Sequence, residues 1–598
     1  MTVVAASGTG VAVGPFTLSV VDGDVRDVRV SDVPVVQHVY AAVRGPEWDT
    51  AGVEPVLVRT GVAGGVLEHR VEAVHRLPAG TVDSRLDVRG GPGGRLEWNL
   101  RLRPRDDLLV NRAGLAVLLP DRSVAGRPYR GVLPSGAAVA GRLPFAVGPQ
   151  RIADGVLHGL FPAVRTLAVE LAGLTVELAI EGDEVEGAEL ELEDQRNWTE
   201  TSFKAYTRSL RRPRPYRLAA GRTVRQRVTV EVREVGPAAR SRRGRPDPVL
   251  RAPAVLRLRR PPVGAELPPG PLPGSDVVAA LAAVGLDHLH VDARAEPDRV
   301  GAAAGLAAAL GAGLELAVED AAPPPPLPPG SAPLHRVLVS RDGAPPPAGL
   351  DERHGAAYGA RVPLHAAAVA DFAALNRTFE AHVPVRAAFG ASPQVHLTDD
   401  RTVLESPRGL HAAVCSARHA GVRHVVAAPV TLRPRAATPG AQPAADDRLD
   451  GPLGAAWAAA SLIWLTAAGA GAVTLLATHG PAGLVAVDAA GPRSRPVAAV
   501  VAALLAVPVG TPAAVVPEPG GGPVLAAVFA AAPARRWLVV NTSGAPRRAT
   551  VAAGPARLHR LDPDGAWRSA DGARTAAGEL VVPLPPHGVA LIDEKAAG

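Results

Sequence analysis

The hydrophobic residues of this chain change their period twice, and that change restricts the fold more than any other feature. Through the first 235 residues, apolar and polar side chains alternate in runs such as FTLSVVDGDVRDVRV (16–30) and RTLAVELAGLTVELAI (165–180). A period of two places successive side chains on opposite faces of a strand, and Gly, Pro and Asp break the runs into short segments. An antiparallel β-sandwich is expected, with GRTVRQRVTVEVREV (221–235) as its last strand. Ala238–Pro248, rich in Arg and Pro, has the composition of a linker. Beyond it, short β-branched runs alternate with Ala-rich helical stretches, the pattern of a parallel sheet with crossover helices. Strands are expected at Val255–Arg259, His288–Asp292, Glu315–Val318, Arg336–Ser340, Arg361–Leu364, Val385–Ala388, His424–Ala427 and Ala472–Leu476. Helices fit between most of them, for example Asp276–Val284, Asp298–Leu310, Val369–Asn376 and Pro452–Ala468. Eight such units make a TIM (β/α)8 barrel. The connection Ala321–Pro333 cannot be a regular helix, because its prolines remove donors and clash with preceding carbonyls. From about Pro508 the alternation returns, as a second small sandwich. The expected organisation is 1–247 β-sandwich, 248–507 barrel and 508–598 β-sandwich.

Composition excludes several classes. With 47% hydrophobic and 20% charged residues the chain is globular. Its 64 basic side chains exceed the acidic ones by only 6, and all but Lys204 and Lys595 are Arg. The high pI thus says little about nucleic acid. The run RSLRRPRPYR (Arg208–Arg217) lies between strand-like segments and reads as a solvated loop. Cys415 is alone, so there is neither a disulfide framework nor a Cys-based zinc site. No basic n-region precedes a clean apolar stretch at the N-terminus, which predicts no signal peptide and a cytoplasmic protein. Gly454–Thr478 is apolar enough to test as a membrane span, but Gly469 and Gly471 divide it into helix and strand; Pro496–Val509 is too short. No GxxxxGK, HExxH or GxSxG pattern is present.

Three polar patches remain. Glu191–Tyr206 (ELEDQRNWTETSFKAY) gathers Glu193, Asp194, Arg196, Asn197, Trp198 and Lys204 in one turn-rich loop. Such groups must satisfy each other or a ligand. Ala391–Asp400 (ASPQVHLTDD) follows the sixth expected strand, so Gln394, His396, Asp399 and Asp400 would stand at the C-terminal end of the barrel, where catalytic residues gather. The bland alternative for Asp399 and Asp400 is capping of the next helix. Thr431–Arg435 (TLRPR) follows strand seven and would bring Arg433 or Arg435 over the same mouth to clamp a carboxylate.

With these patches in this order, the chain resembles the D-apionate lactonase family of sugar-acid catabolism. The resemblance rests on YAAVRGPEWDT (40–50), NRAGLAVLLP (111–120), EDQRNWTETSFKAY (193–206), ALNR (374–377), SPQVHLTDD (392–400), APVTLRPR (428–435) and GAAWAAASLIWL (454–465). The family's pattern is departed from at Leu119, at Ala366–Val369 and at Ala477, where a histidine, a polar stretch and a glutamate are expected. The resemblance implies a β domain, a TIM barrel and a second β domain, and a hydrolase that opens a sugar lactone without cofactor or metal. In that reading His396 is the general base, Asp399 or Asp400 orients it, and Gln394 and Arg433 bind substrate or oxyanion. Glu193, Arg196, Asn197 and Trp198 complete the pocket wall or brace it. A small-molecule sugar lactone is the expected partner, with no nucleic acid and no membrane; the oligomeric state is open. Two alternatives stand beside this reading: a TIM-barrel glycoside hydrolase using Asp292, Glu319 or Glu405, and an inactive carbohydrate-binding or scaffold homologue.

Overall fold

The computed structural model describes residues 2–3, 9–21, 23–153, 156–182, 189–234, 249–359, 361–518, 521–530 and 534–594. The expected linker Ala238–Pro248, and with it the 247/248 boundary, lies outside the described residues. The chain divides into two compact units. One comprises Met1–Arg196 and Thr201–Gly244, the other Asn197–Glu200 and Arg245–Gly598.

The first unit is the expected sandwich. Its larger sheet carries ten strands, among them Gly52–Ala63, Val66–Leu77, Gly80–Gly90, Arg95–Pro104 and Val224–Glu234. The second sheet has seven, including Val33–Arg44, Arg112–Pro120, Leu190–Asp194 and Ser202–Thr207. Alternate residues of both sheets meet in one core around Trp98, Leu100, Leu115, Val117, Phe203 and Val228. Fully burying side chains of this size contributes roughly 1.5–3 kcal/mol each. Arg112–Pro120 and Ser202–Thr207 are buried at every position, although the latter carries Ser, Lys and Thr.

In the second unit, eight parallel strands close into a barrel: Val263–Glu266, His288–Asp292, Gly313–Glu319, Leu334–Ser340, Leu364–Ala368, Arg386–Ala391, His424–Val430 and Ala472–His479. The first pairs with the last, in the register Val263 with Val473 and Glu266 with Ala477. Two expected strands require correction. Val255–Arg259 is not barrel strand one; Leu258–Arg259 pairs antiparallel with Pro512–Ala513 instead. The true first strand is only four residues long and follows Pro261 and Pro262, too short to register as a hydrophobic run. The fifth strand starts at Leu364, where Arg361–Leu364 was expected to end: Arg361 is exposed, and the buried run is LHAAA. The connection between strands three and four contains no helix across Ala321–Pro333.

Inside the barrel, Ala317, Leu338, Ala367, Ala388, Val426, Ala428 and Ala472 from six strands form one small cluster. Alanine at so many inward positions leaves the lumen lightly filled, and polar side chains occupy its lower part. Glu315, fully buried, accepts from His290 Nδ1 at 2.8 Å, Thr474 Oγ1 at 2.7 Å and Arg336 Nη1 at 2.7 Å. Helix Pro452–Ala468 begins and ends where expected, with Gly469 in the left-handed conformation (φ 70°) as its stop. It is apolar all round because it packs between the last barrel strand and the C-terminal sheet, and 14 of its 17 residues are buried. That packing accounts for the apolar run; no helix among the described residues is long and apolar enough to cross a membrane.

The C-terminal strands, including Val524–Phe529, Arg536–Asn541, Arg547–Val551, Ala556–Leu561 and Val589–Glu594, form sheets of seven and four around Trp537, Val539, Val582 and Ile592. Leu258–Arg259 joins the first of these sheets, and Val249–Leu250 joins the second beside Thr550–Val551. Residues that precede the barrel thus complete the sheets that follow it.

One helix is improvable. Gly305 lies exposed inside Val300–Ala309, and an added Cβ meets nothing within 4 Å. Gly305→Ala is expected to stabilise the protein by about 0.5–1 kcal/mol, read from the urea midpoint, by restricting the unfolded chain and favouring helix.

Candidate functional site

The polar loop after strand Leu190–Asp194 divides between the two units. In the first, Arg196 donates to Asp194 through Nε (2.8 Å) and Nη2 (2.6 Å), and to the carbonyls of Pro144, Phe145 and Ala146. Lys204 Nζ lies 2.5 Å from Glu193 Oε1, both nearly sealed from solvent. Burial pushes the Glu193 carboxyl up, but the charges of Lys204, Arg112 and Arg44 outweigh it and hold it below the usual range. Glu193 and Arg196 therefore satisfy protein groups.

The next four residues, Asn197–Glu200, pack as part of the barrel unit. Asn197 Oδ1 accepts from Asn376 Nδ2 at 2.9 Å, and Thr199 Oγ1 donates to the Ser392 carbonyl at 3.4 Å. Trp198 stands edge-on to the His396 ring, with centroids 5.1 Å apart and planes at 85°. Glu200 Oε1 lies 2.6 Å from His396 Nδ1, with the two side chains 4% and 12% exposed. Sequence reasoning named Asn197, Trp198 and His396 but missed Glu200, whose sign is visible only as a carboxylate two residues beyond the tryptophan.

Thr199 is non-glycine yet has φ 59°, and its carbonyl presses on the helix Pro407–Ala420 at Gly409. A Cβ on Gly409 would sit 1.8 Å from the Thr199 oxygen. Gly409→Ala is therefore expected to force the tetrapeptide off this helix. It should cost about 1–3 kcal/mol in unfolding free energy, opposite in sign to Gly305→Ala.

Beyond strand six, Gln394 is buried and fully used. Its Nε2 donates to the Leu432 carbonyl (2.7 Å) and Asp446 Oδ2 (2.8 Å), and its Oε1 accepts from Arg448 Nη2 (2.6 Å). Arg433 Nε also lies 2.9 Å from Asp446 Oδ2. Gln394 and Arg433 thus converge on Asp446, while the contact described for His396 is with Glu200. Asp399 caps the helix Asp400–Glu405 through the Thr402 N–H (3.0 Å) and hydroxyl (2.7 Å), and Asp400, 55% exposed, pairs with Arg448 at 3.0 Å. Both aspartates stand at the start of this helix, where the N–H groups favour a carboxylate.

A second buried constellation stands at the ends of strands one and two. Arg435 Nη1 donates to Glu266 Oε1 at 2.6 Å and Nη2 to Asp292 Oδ2 at 3.1 Å. Arg435 does clamp a carboxylate, as expected, but the carboxylates are the protein's own. Glu266 is 1% exposed, its Oε2 has no hydrogen-bond partner among the described residues, and it is the register neighbour of Ala477. It escaped sequence reasoning because the strand that carries it was misplaced. Burial alone would raise the Asp292 carboxyl; Arg294, Arg435 and the Gly440 N–H outweigh it and bring the pKa to about 2. A pKa depressed from 3.8 to about 2 contributes about 2 kcal/mol of stability. It is fully present above about pH 4 and lost as pH falls through 2. The pH slope of unfolding free energy between pH 4 and 2 is expected to flatten in Asp292→Asn.

Glu319 accepts from the Asp342 N–H, and Glu405 pairs with Arg401 one helical turn away. Among the described residues no group of three His, Cys, Asp or Glu side chains is placed to hold a metal ion.

A (β/α)8 barrel with buried titratable side chains beyond the C-terminal ends of its strands is built as barrel enzymes are. A family model for the D-apionate lactonase N-terminal domain matches residues 3–235, and one for the D-apionate lactonase TIM-barrel domain matches residues 342–508. The chain belongs to this family, as a diverged member. The D-apionate lactonase of Brucella anthropi is 28% identical over 239 residues, which span 39% of this chain and 37% of that protein. Among solved structures, the family 30 subfamily 8 xylanase of Clostridium acetobutylicum aligns at a TM-score of 0.40 and 13% identity, over 58% of this chain and 99% of the xylanase. A β-arabinopyranosidase aligns at a TM-score of 0.34 and 11% identity, over 98% and 99% of the two chains.

Proposed function

We propose that the protein is a hydrolase that opens a sugar-acid lactone of the D-apionolactone type. The observation that carries this reading is the His396–Glu200 pair at 2.6 Å beside Trp198, beyond strand six of a barrel of the lactonase family. Lactone opening needs a base for the attacking water, an orienter for that base and donors for the oxyanion. With Nδ1–H donated to Glu200, Nε2 is the basic nitrogen of His396, and the carboxylate stabilises the imidazolium that forms. Trp198 offers an apolar ring edge beside it. Gln394 and Arg433, held by Asp446, shape the adjoining wall. The glycosidase alternative is weaker, since Asp292, Glu319 and Glu405 are each engaged with an Arg or a backbone N–H. A pH-stat assay of the purified chain on a panel of aldonolactones, including apionolactone, tests the proposal. Acid release above the spontaneous rate supports it, and none on any lactone would leave the inactive-homologue reading standing.

A further inference from the structure

At the opposite end of the barrel, around the starts of strands four to seven, lies a cavity of about 860 Å3. That volume is within the roughly 300–1,000 Å3 that small-molecule sites occupy. Its fixed charges are Arg336, Arg361 and Arg386 against a single carboxylate, Asp351, with His335, His365 and His424 also in the lining. The charges are unequally compensated. Arg336 is spent on Glu315 at 2.7 Å inside the barrel. Arg386 reaches Asp351 only at 3.5 Å, and that carboxylate is 66% exposed. Arg361 is exposed and has no acidic partner among the described residues. At the cavity's inner wall His365 is 4% exposed and bonds the Pro363 backbone.

We propose that this cavity binds a small, multiply charged oxyanion, a phosphate ester or a di- or tricarboxylate, with its charged oxygens on Arg361 and Arg386 and a polar group against His365. Guanidinium forks match phosphate and carboxylate geometry bidentately. Low-dielectric walls lined by one sign of charge concentrate counter-ions of the other. Burial, aided by the Arg336 charge, brings the His365 pKa to about 3, so its ring is neutral near pH 7 and can either donate or accept. Catalysis in barrels of this kind belongs to the other end. A ligand here is thus distinct from the proposed lactone and would stabilise or regulate the fold rather than react.

Calorimetric titration of the full chain with inorganic phosphate, and separately with citrate, against sodium chloride at equal ionic strength tests this. Saturable one-to-one binding of either anion is expected, with Kd weakened about tenfold or more in Arg361→Gln and in Arg386→Gln, since each removes about 1.4 kcal/mol or more of binding. Both variants should keep the wild-type melting temperature without anion, because Arg361 is exposed and Arg386, one-third exposed, makes only a loose pair at 3.5 Å. Binding of phosphate alone identifies a phosphate ester, and of citrate alone a polycarboxylate; either supports the site. No saturable heat with either anion, or equal Kd in wild type and both variants, overturns it.

Discussion

Replacing His396 by alanine is expected to lower lactone turnover by about 10²–10⁴-fold, the range general-base catalysis supplies. KM should change far less, because the imidazole works on water rather than holding the sugar. The partner variant Glu200→Gln is expected to lower kcat as well, by misdirecting the ring and removing the charge that supports its protonated form. Because the two act as a unit, the double variant should be little slower than His396→Ala alone. Steady-state kinetics of the four proteins, with melting temperatures beside them, make the check. Full turnover in His396→Ala would remove the residue from the mechanism. Additive losses in the double variant would show that Glu200 acts elsewhere.

Arg435→Leu should produce the largest loss of stability. The guanidinium is 3% exposed and neutralises two carboxylates, themselves 1% and 7% exposed. Removing one partner of a buried ion pair costs roughly 3–5 kcal/mol, because the remaining charge is left in low dielectric. Here Glu266 and Asp292 would both be stranded, although Asp292 keeps Arg294 at 2.7 Å. Glu266 therefore carries most of the penalty, and Glu266→Gln placed on Arg435→Leu is expected to restore a large part of it. Guanidinium unfolding followed by tryptophan fluorescence measures all three. A midpoint for Arg435→Leu equal to wild type would mean that water already reaches this cluster.

The sequence disclosed what periodicity controls. The alternating runs became the sandwich strands, and the helix Pro452–Ala468 was legible to the residue because Gly469 marks its end. What was lost depends on contacts that period and composition do not carry. The first barrel strand, VGAE, is held by pairing on both sides rather than by its own hydrophobicity, and Glu266 was hidden with it. The role expected of Asp399 and Asp400 rests on their nearness to His396 in sequence. The carboxylate bonded to its ring comes from residue 200, nearly two hundred positions earlier. Gln394 is singled out by its sequence as more than a cap, and its three bonds go to Leu432, Asp446 and Arg448. No local pattern announces a partner in a later loop.

Glu200 lies in the stretch matched by the N-terminal family model but packs with the barrel. Gene fragments cut between the two family segments would therefore separate His396 from its carboxylate. A chimera joining this barrel to another relative's first segment would import a foreign tetrapeptide against Gly409. Recombination between relatives is constrained to inherit residues 197–200 and the loop beyond strand six together, so shuffled libraries should retain function only when both come from one parent.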